Sequence, residues 1–177
     1  MSHIFSKKSS VKLPPRSREE KNEEWGRETG NIIFCPRCGN LHYGKKWHHA
    51  GDIPKKNFEK AKVVRKICPA CKMVRDHAFE GELFIEDVPE KFAQELLNLT
   101  KAFGERATEM NSQSRVISIN KKEDTYRIIT TENQLSVKLA KKVKNVFKNV
   151  ELNISHAKEP SKVSRVRAIF LVRKAKN

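Results

Sequence analysis

Cys35-Pro36-Arg37-Cys38-Gly39 and, 29 residues further on, Cys68-Pro69-Ala70-Cys71 decide how this 177-residue chain is read. Two C-x-x-C pairs supply four thiolates, the number that a closed, tetrahedral zinc site takes. In such a corner the backbone turns back so that both sulfurs reach one ion. Pro36 and Pro69 hold φ near the value the turn needs, and Gly39 supplies the backbone freedom to leave it. The chain has four cysteines in all, so the set uses every thiol. One structural zinc ion on Cys35, Cys38, Cys68 and Cys71 is therefore expected.

Other uses of these cysteines fit less well. Disulfides need an oxidising compartment, and the opening MSHIFSKKSS has no apolar segment of a secretory signal. A thioredoxin-like redox pair uses one C-x-x-C. A rubredoxin-type iron site also uses two, but the surrounding positive charge suits nucleic acid better than electron transfer. His42, His48, His49 and His77 lie near the pairs in sequence, yet a four-thiolate set needs no fifth ligand.

Charge points to the partner. Lys and Arg number 37 against 21 Asp and Glu, giving +16 and a pI near 9.9. Such an excess repels itself, and its usual counterpart is a polyanion whose condensed counterions are released on binding. The 37% apolar and 33% charged composition fits a modest core with a polar tail. No apolar stretch reaches membrane-spanning length. A cytoplasmic protein, with no membrane and no small-molecule substrate, is the expectation.

Residues 1–30 read as a basic, mixed-charge, disordered tail in which Trp25 either clamps a partner or packs on the ribbon. Residues 31–80 read as a zinc ribbon with a strand at Ile32–Phe34 and a projecting basic loop or hairpin between the cysteine pairs. Lys45, Lys46, Trp47, Lys55, Lys56, Lys62, Arg65 and Lys66 interleave cations with an aromatic ring, as phosphate and base contacts do. The alternative is that Trp47 and Phe58 form the ribbon's small core and the lysines are simply solvated, and for Trp47 alone core is preferred to contact.

Residues 81–177 read as an α+β domain. Leu83–Ile85 is a short strand. Asp87 and Glu90 form a capping box, with Pro89 in the first turn, before a stripe of Phe92, Leu96, Leu99, Phe103 and Ala107. Val116–Ile119 and Tyr126–Ile129 form a hairpin about a turn at Lys121–Asp124. Thr131 and Gln134 cap a second helix with Leu135, Leu139, Val143, Val146 and Phe147 on one side and Lys138, Lys141, Lys142, Lys144 and Lys148 on the other. Strands at Val150–Ile154 and from Val163 to Val172 follow, joined by a turn at Pro160 and decorated by Arg165, Arg167, Arg173 and Lys174. This order matches a split β-α-β, ferredoxin-like unit with one added strand, two helices on one face of an antiparallel sheet and the other face open to a partner. With Leu83–Ile85 assigned to the ribbon, the remainder is a smaller α-β-β-α-β-β unit. Lys138, Lys141, Lys142, Arg165 and Arg167 join the expected phosphate contacts.

The runs FCPRCG, LHYGKKWHH and ICPACKMVRD, with EGELFI and IITTENQLSVKLAKKV further on, resemble a family of bacterial zinc-ribbon proteins. That family is related to the zinc-binding N-terminal part of the Nmd-type adaptor for export of the large ribosomal subunit. The resemblance spans about residues 30–172, and only Cys35, Cys38, Cys68 and Cys71 carry over, as zinc ligands. The adaptor's longer form has more metal-binding cysteines than the four here, and no counterpart of its later domains and export signals is expected. The resemblance implies binding to ribosomal RNA or ribosomes, and does not imply export. A non-catalytic RNA-binding protein is thus expected, ahead of a DNA-binding, transcription-linked ribbon or a protein-interaction module. Asp76, Glu80, Glu82, Glu86 and Asp87 cluster in sequence, but read as solvation and capping rather than an enzyme's site.

Overall fold

A computed structural model describes residues 32–54, 61–156 and 163–171. The stretch 1–30 with Trp25, residues Lys55, Lys56, Phe58 and Pro160, and residues Val172, Arg173 and Lys174 lie outside the described residues.

The cysteine part is a small four-stranded sheet followed by a helix. Strand β1 (Ile32–Phe34) pairs antiparallel with β2 (Leu41–Tyr43), and β2 forms a hairpin with β3 (Lys46–His48). Strand β4 (Val63–Arg65) lies on the other side of β1 and runs parallel to it. Helix α1 (Pro69–Asp76) follows. Its apolar interior is slight: Ile32, Leu41 and Ile53 in one cluster, the cysteines and Ala70 in another. So little buried surface does not hold a fold by itself, which is where a metal ion contributes most.

The second part has five strands and two helices. They are β5 (Gly81–Glu86), α2 (Glu90–Met110), β6 (Val116–Lys122), β7 (Thr125–Thr130), α3 (Asn133–Phe147), β8 (Val150–His156) and β9 (Ser164–Phe170). The sheet order is β6-β7-β5-β9-β8. Strand β7 lies antiparallel between β5 and β6, so β5-α2-β6 is a split β-α-β unit. Strand β9 sits between β5 and β8, and β5–β9 is a parallel pair. The sheet is therefore mixed, not the antiparallel one that the element order suggested. A hairpin can fold to either side of its first strand, and order alone does not choose.

Alternation places Leu83, Ile85, Ile128, Val166 and Ala168 on one sheet face, where Leu96 of α2 and Leu139 and Val143 of α3 cover them. The α2 stripe is centred on Ala93, Leu96, Thr100 and Gly104, with Phe92, Leu99 and Phe103 only partly buried. Val146 of α3 is exposed rather than part of its apolar face.

Both expected caps are differently employed. Asp87 has φ +56°, outside the extended region an N-cap needs, and α2 starts at Glu90 with Pro89 as its N-cap and no side-chain bond. The N-cap of α3 is Glu132, while Thr131 Oγ1 donates to Gln113 O (2.9 Å) and accepts from Arg115 N (2.9 Å). A tertiary contact has taken the hydroxyl that local sequence offered to the helix. Lys121 and Lys122 belong to β6, and the turn tightens to Glu123, at φ +56°, and Asp124.

Candidate metal centre and basic surfaces

Strand register builds the cysteine site. Ile32, Ile33 and Phe34 of β1 stand beside Val63, Val64 and Arg65 of β4, and Lys66 N donates to Phe34 O (3.0 Å). Because the two strands run the same way, Cys35 and Cys68 leave the sheet side by side. The Cys68 N–H then donates to Cys35 Sγ (3.3 Å).

The first pair closes a tight knuckle. Gly39 N donates to Cys35 O (2.9 Å) and Cys35 N to Asn40 O (2.8 Å), with Gly39 at φ +75°. A side chain rarely adopts that angle, and glycine adopts it freely. The second pair does something other than turn back: it opens a helix. Cys68 is the N-cap of α1, and its sulfur accepts from Cys71 N (3.4 Å), while Pro69 occupies the first turn. Proline fits there because its missing N–H has no intrahelical partner to lose.

All four Sγ atoms lie within 4.8 Å of one another, and Cys38 Sγ and Cys68 Sγ are 3.7 Å apart. A tetrahedron of sulfurs about 2.3 Å from a zinc ion has edges of about 3.8 Å. The four cysteines are unpaired thiols, and they can hold a metal ion. Cys35, Cys68 and Cys71 are buried, and Trp47, tilted against His42 with ring centroids 5.4 Å apart, packs on the cluster.

Electrostatics favours a cation at this point. Burial raises the Cys35 thiol, but backbone N–H groups of Cys68, Cys38 and Arg37 outweigh it and bring the group down to about 7. Burial drives Cys68 up to about 11, and drives Cys71 up further, with the Cys38 and Cys68 sulfurs adding to it. Four thiolates therefore do not coexist here without a compensating positive ion. The histidines have other roles: His48 Nε2 contacts Tyr43 O (3.1 Å), His49 Nε2 contacts Thr108 O (2.8 Å), and His77 ends α1 at φ +51°. Among the described residues, the cysteines form the one group of three or more metal-ligating side chains that meets around a point.

A loop after α2, residues 111–115, stitches the cysteine part to the second sheet. Gln113 Oε1 accepts from Ala70 N (3.2 Å), satisfying an N–H of the first turn of α1. Ser112 O accepts from the buried Asn40 Nδ2 (3.2 Å), and Ser112 Oγ donates to Trp47 O (3.0 Å). Arg115 Nη2 donates to Ser112 O (3.1 Å) and braces the loop.

The expected phosphate contacts fall into three places. Lys45, Lys46, Lys62, Arg65 and Lys66 are exposed on the cysteine part, and Trp47 is partly buried. Lys138, Lys141, Lys142, Lys144 and Lys148 line the exposed side of α3, which has no acidic residue. The neighbouring α2 is mixed, exposing Glu90, Glu95, Glu105 and Glu109 with Lys91, Lys101 and Arg106. Arg165 and Arg167 lie on the sheet face away from the helices and are ion-paired. Arg165 Nε donates to Glu82 (3.1 Å), and Arg167 donates from Nε and Nη2 to the two Glu86 oxygens (2.8 and 2.9 Å).

Glu82 also accepts from Arg127 (2.6 Å to Nη2) and is 5% exposed. Arg127, Glu82 and Glu86 are site residues that sequence reasoning passed over as partners for the two arginines. Their signal was the alternation in GELFIE, which puts both carboxylates on one face of a strand. The acidic group around residues 76–87 does not converge: Asp76 pairs with Arg75 (2.7 Å), and Glu82 and Glu86 pair with arginines on other strands.

No protein-family profile, curated protein or solved structure matches the chain. Among the described residues, no helix is long and apolar enough to cross a membrane.

Proposed function

We propose that this chain is a non-catalytic RNA-binding protein in which Cys35, Cys38, Cys68 and Cys71 hold one structural zinc ion. The ion takes no part in chemistry. It fixes a knuckle, a hairpin and a helix that their small apolar clusters leave underdetermined. The four-sulfur donor set and the 3.7 Å sulfur spacing support zinc.

The observation that carries the RNA reading is the lysine row of α3. The five α3 lysines are solvent-exposed, and among the described residues no ion pair engages them. A lysine row on a helix of 15 residues follows a phosphate backbone over about 20 Å. The exposed cations of the cysteine part form a further positive surface. The second part is read as a ferredoxin-like unit with β9 inserted beside its first strand, which the split β5-α2-β6 arrangement supports. Ribosomal RNA of the large subunit, in a reducing cytoplasm, is the partner that the family resemblance and the thiol set favour.

Filter binding of the metal-loaded chain to ribosomal RNA fragments across a salt series tests this. Replacing Lys138, Lys141 and Lys142 with Gln should lower the slope of log K against log salt by about 2 to 3, since each phosphate contact contributes about 0.7–0.9. An unchanged slope, or tighter binding to duplex DNA than to RNA, would contradict the reading.

A further inference from the structure

The sheet face opposite the helices carries an ordered row of side chains. The strand pairings place Asn120 beside Arg127, Arg127 beside Phe84, Phe84 beside Arg167, and Arg167 beside Asn153. One row thus crosses all five strands as Asn, Arg, Phe, Arg, Asn. The next row contributes Arg165 and Ser155, also adjacent. A cavity of about 520 Å³ lies on this face, lined by Phe84, Glu86, Asn153, Ser155, Arg165 and Arg167.

We infer that this cavity takes an unstacked base of single-stranded RNA, with the ring on Phe84 and the adjoining phosphate on Arg165 and Arg167. The inference rests on the RNA reading above and adds to it a second, base-contacting surface. A partly buried aromatic ring at the centre of a sheet is the surface on which splayed bases stack. Asn153 and Ser155 bring amide and hydroxyl groups to the same cavity, where a base edge needs donors and acceptors.

Charge complementarity supports an anionic ligand here. Three guanidiniums face two carboxylates across Glu82 and Glu86, leaving one positive charge over. Arg165 spends its Nε on Glu82, and its side chain remains 50% exposed; Arg167, bidentate to Glu86, remains 60% exposed. Each guanidinium has five N–H donors, so these pairings leave donors for a phosphate. The carboxylates pair with both planes, which reduces the ordering left to binding. The cavity volume suits one nucleotide.

The test uses the full, metal-loaded chain with two probes: an eight-nucleotide single-stranded RNA of mixed sequence and a duplex RNA of the same composition. Phe84→Leu keeps an apolar side chain and removes the ring. Single-strand affinity should fall about 5- to 150-fold, the range for losing one base–aromatic stack, with duplex affinity and salt slope unchanged. In the wild-type chain, photocrosslinking to 4-thiouridine in the single strand should fall on the peptide containing Phe84. That readout stands even if Phe84→Leu folds poorly.

Equal single-strand binding by the folded Phe84→Leu chain, or a crosslink confined to the α3 lysines, would overturn the inference and leave the RNA reading intact. Wild-type binding to the duplex and not to the single strand would do the same. Binding to neither probe would overturn both, and would turn attention to a protein partner for this face.

Discussion

Gly81 opens β5 at the point where α3 is anchored, and Gly81→Ala tests that anchoring. A Cβ there would press on Thr130 Oγ1 and come within 2.7 Å of Glu132 O and 2.8 Å of Ser136 Oγ. None of the three can yield freely. Thr130 Oγ1 donates to Glu132 O (2.8 Å), Ser136 Oγ donates to Asn133 O (2.7 Å), and Glu132 is the N-cap of α3. Overpacking costs about 1–3 kcal/mol, and a disturbed hydrogen bond adds about 1 kcal/mol. Reduced freedom of the unfolded chain returns about 0.4–1 kcal/mol. The balance is a loss of about 2 kcal/mol, or about 1 M in the urea midpoint at a slope near 2 kcal/mol/M. Gly51→Ala is the internal control. No atom lies within 4 Å of its Cβ position, so only the unfolded-chain term remains and its midpoint should equal wild type or exceed it by up to about 1 kcal/mol. Urea unfolding of the metal-loaded chains, followed by circular dichroism, reads both. Equal midpoints for the two variants would refute the placement of α3 on β5.

Two further outcomes follow from the charged groups. Glu82→Gln should destabilise the chain by about 2 kcal/mol in the same assay. It weakens charge-assisted bonds from Arg127 and Arg165, and the loss is capped because both guanidiniums reach water; no change would mean that the pairings contribute nothing. Metal loading should release protons. Cys68, held at about 11, and Cys71, pushed up by burial, keep theirs at pH 7 in the metal-free chain. Affinity should therefore rise from pH 6 to 8, with at least two protons released, measured by titration calorimetry in buffers of different ionisation enthalpy. Loading without proton release would show that these thiols are already ionised.

Particular residues show what was legible in the sequence. Four cysteines in two C-x-x-C pairs were enough to identify a cluster, because that spacing constrains sulfurs whatever lies between. That the second pair opens a helix was also present, in Pro69 directly after Cys68 and the helix-forming run that follows. The strands of the second part and both of its long helices followed from periodicity, including the lysine side of α3. Partnerships across long separations were hidden. Arg167 and Glu86 lie 81 residues apart, and Arg165 and Glu82 lie 83 apart. They meet only because β9 inserts in parallel beside β5. Thr131 looked like a cap because nothing local announces that the loop holding Gln113 will claim its hydroxyl. That loop, which also reaches Ala70 beside the cysteines, is likewise a product of the assembled fold.

X-ray absorption at the zinc edge of the native protein, with metal content measured on the same sample, tests the central claim most directly. One zinc per chain with four sulfur neighbours at about 2.3 Å is the expected result. A protein isolated without metal, or an ion held by nitrogen or oxygen in place of any of Cys35, Cys38, Cys68 and Cys71, would contradict it.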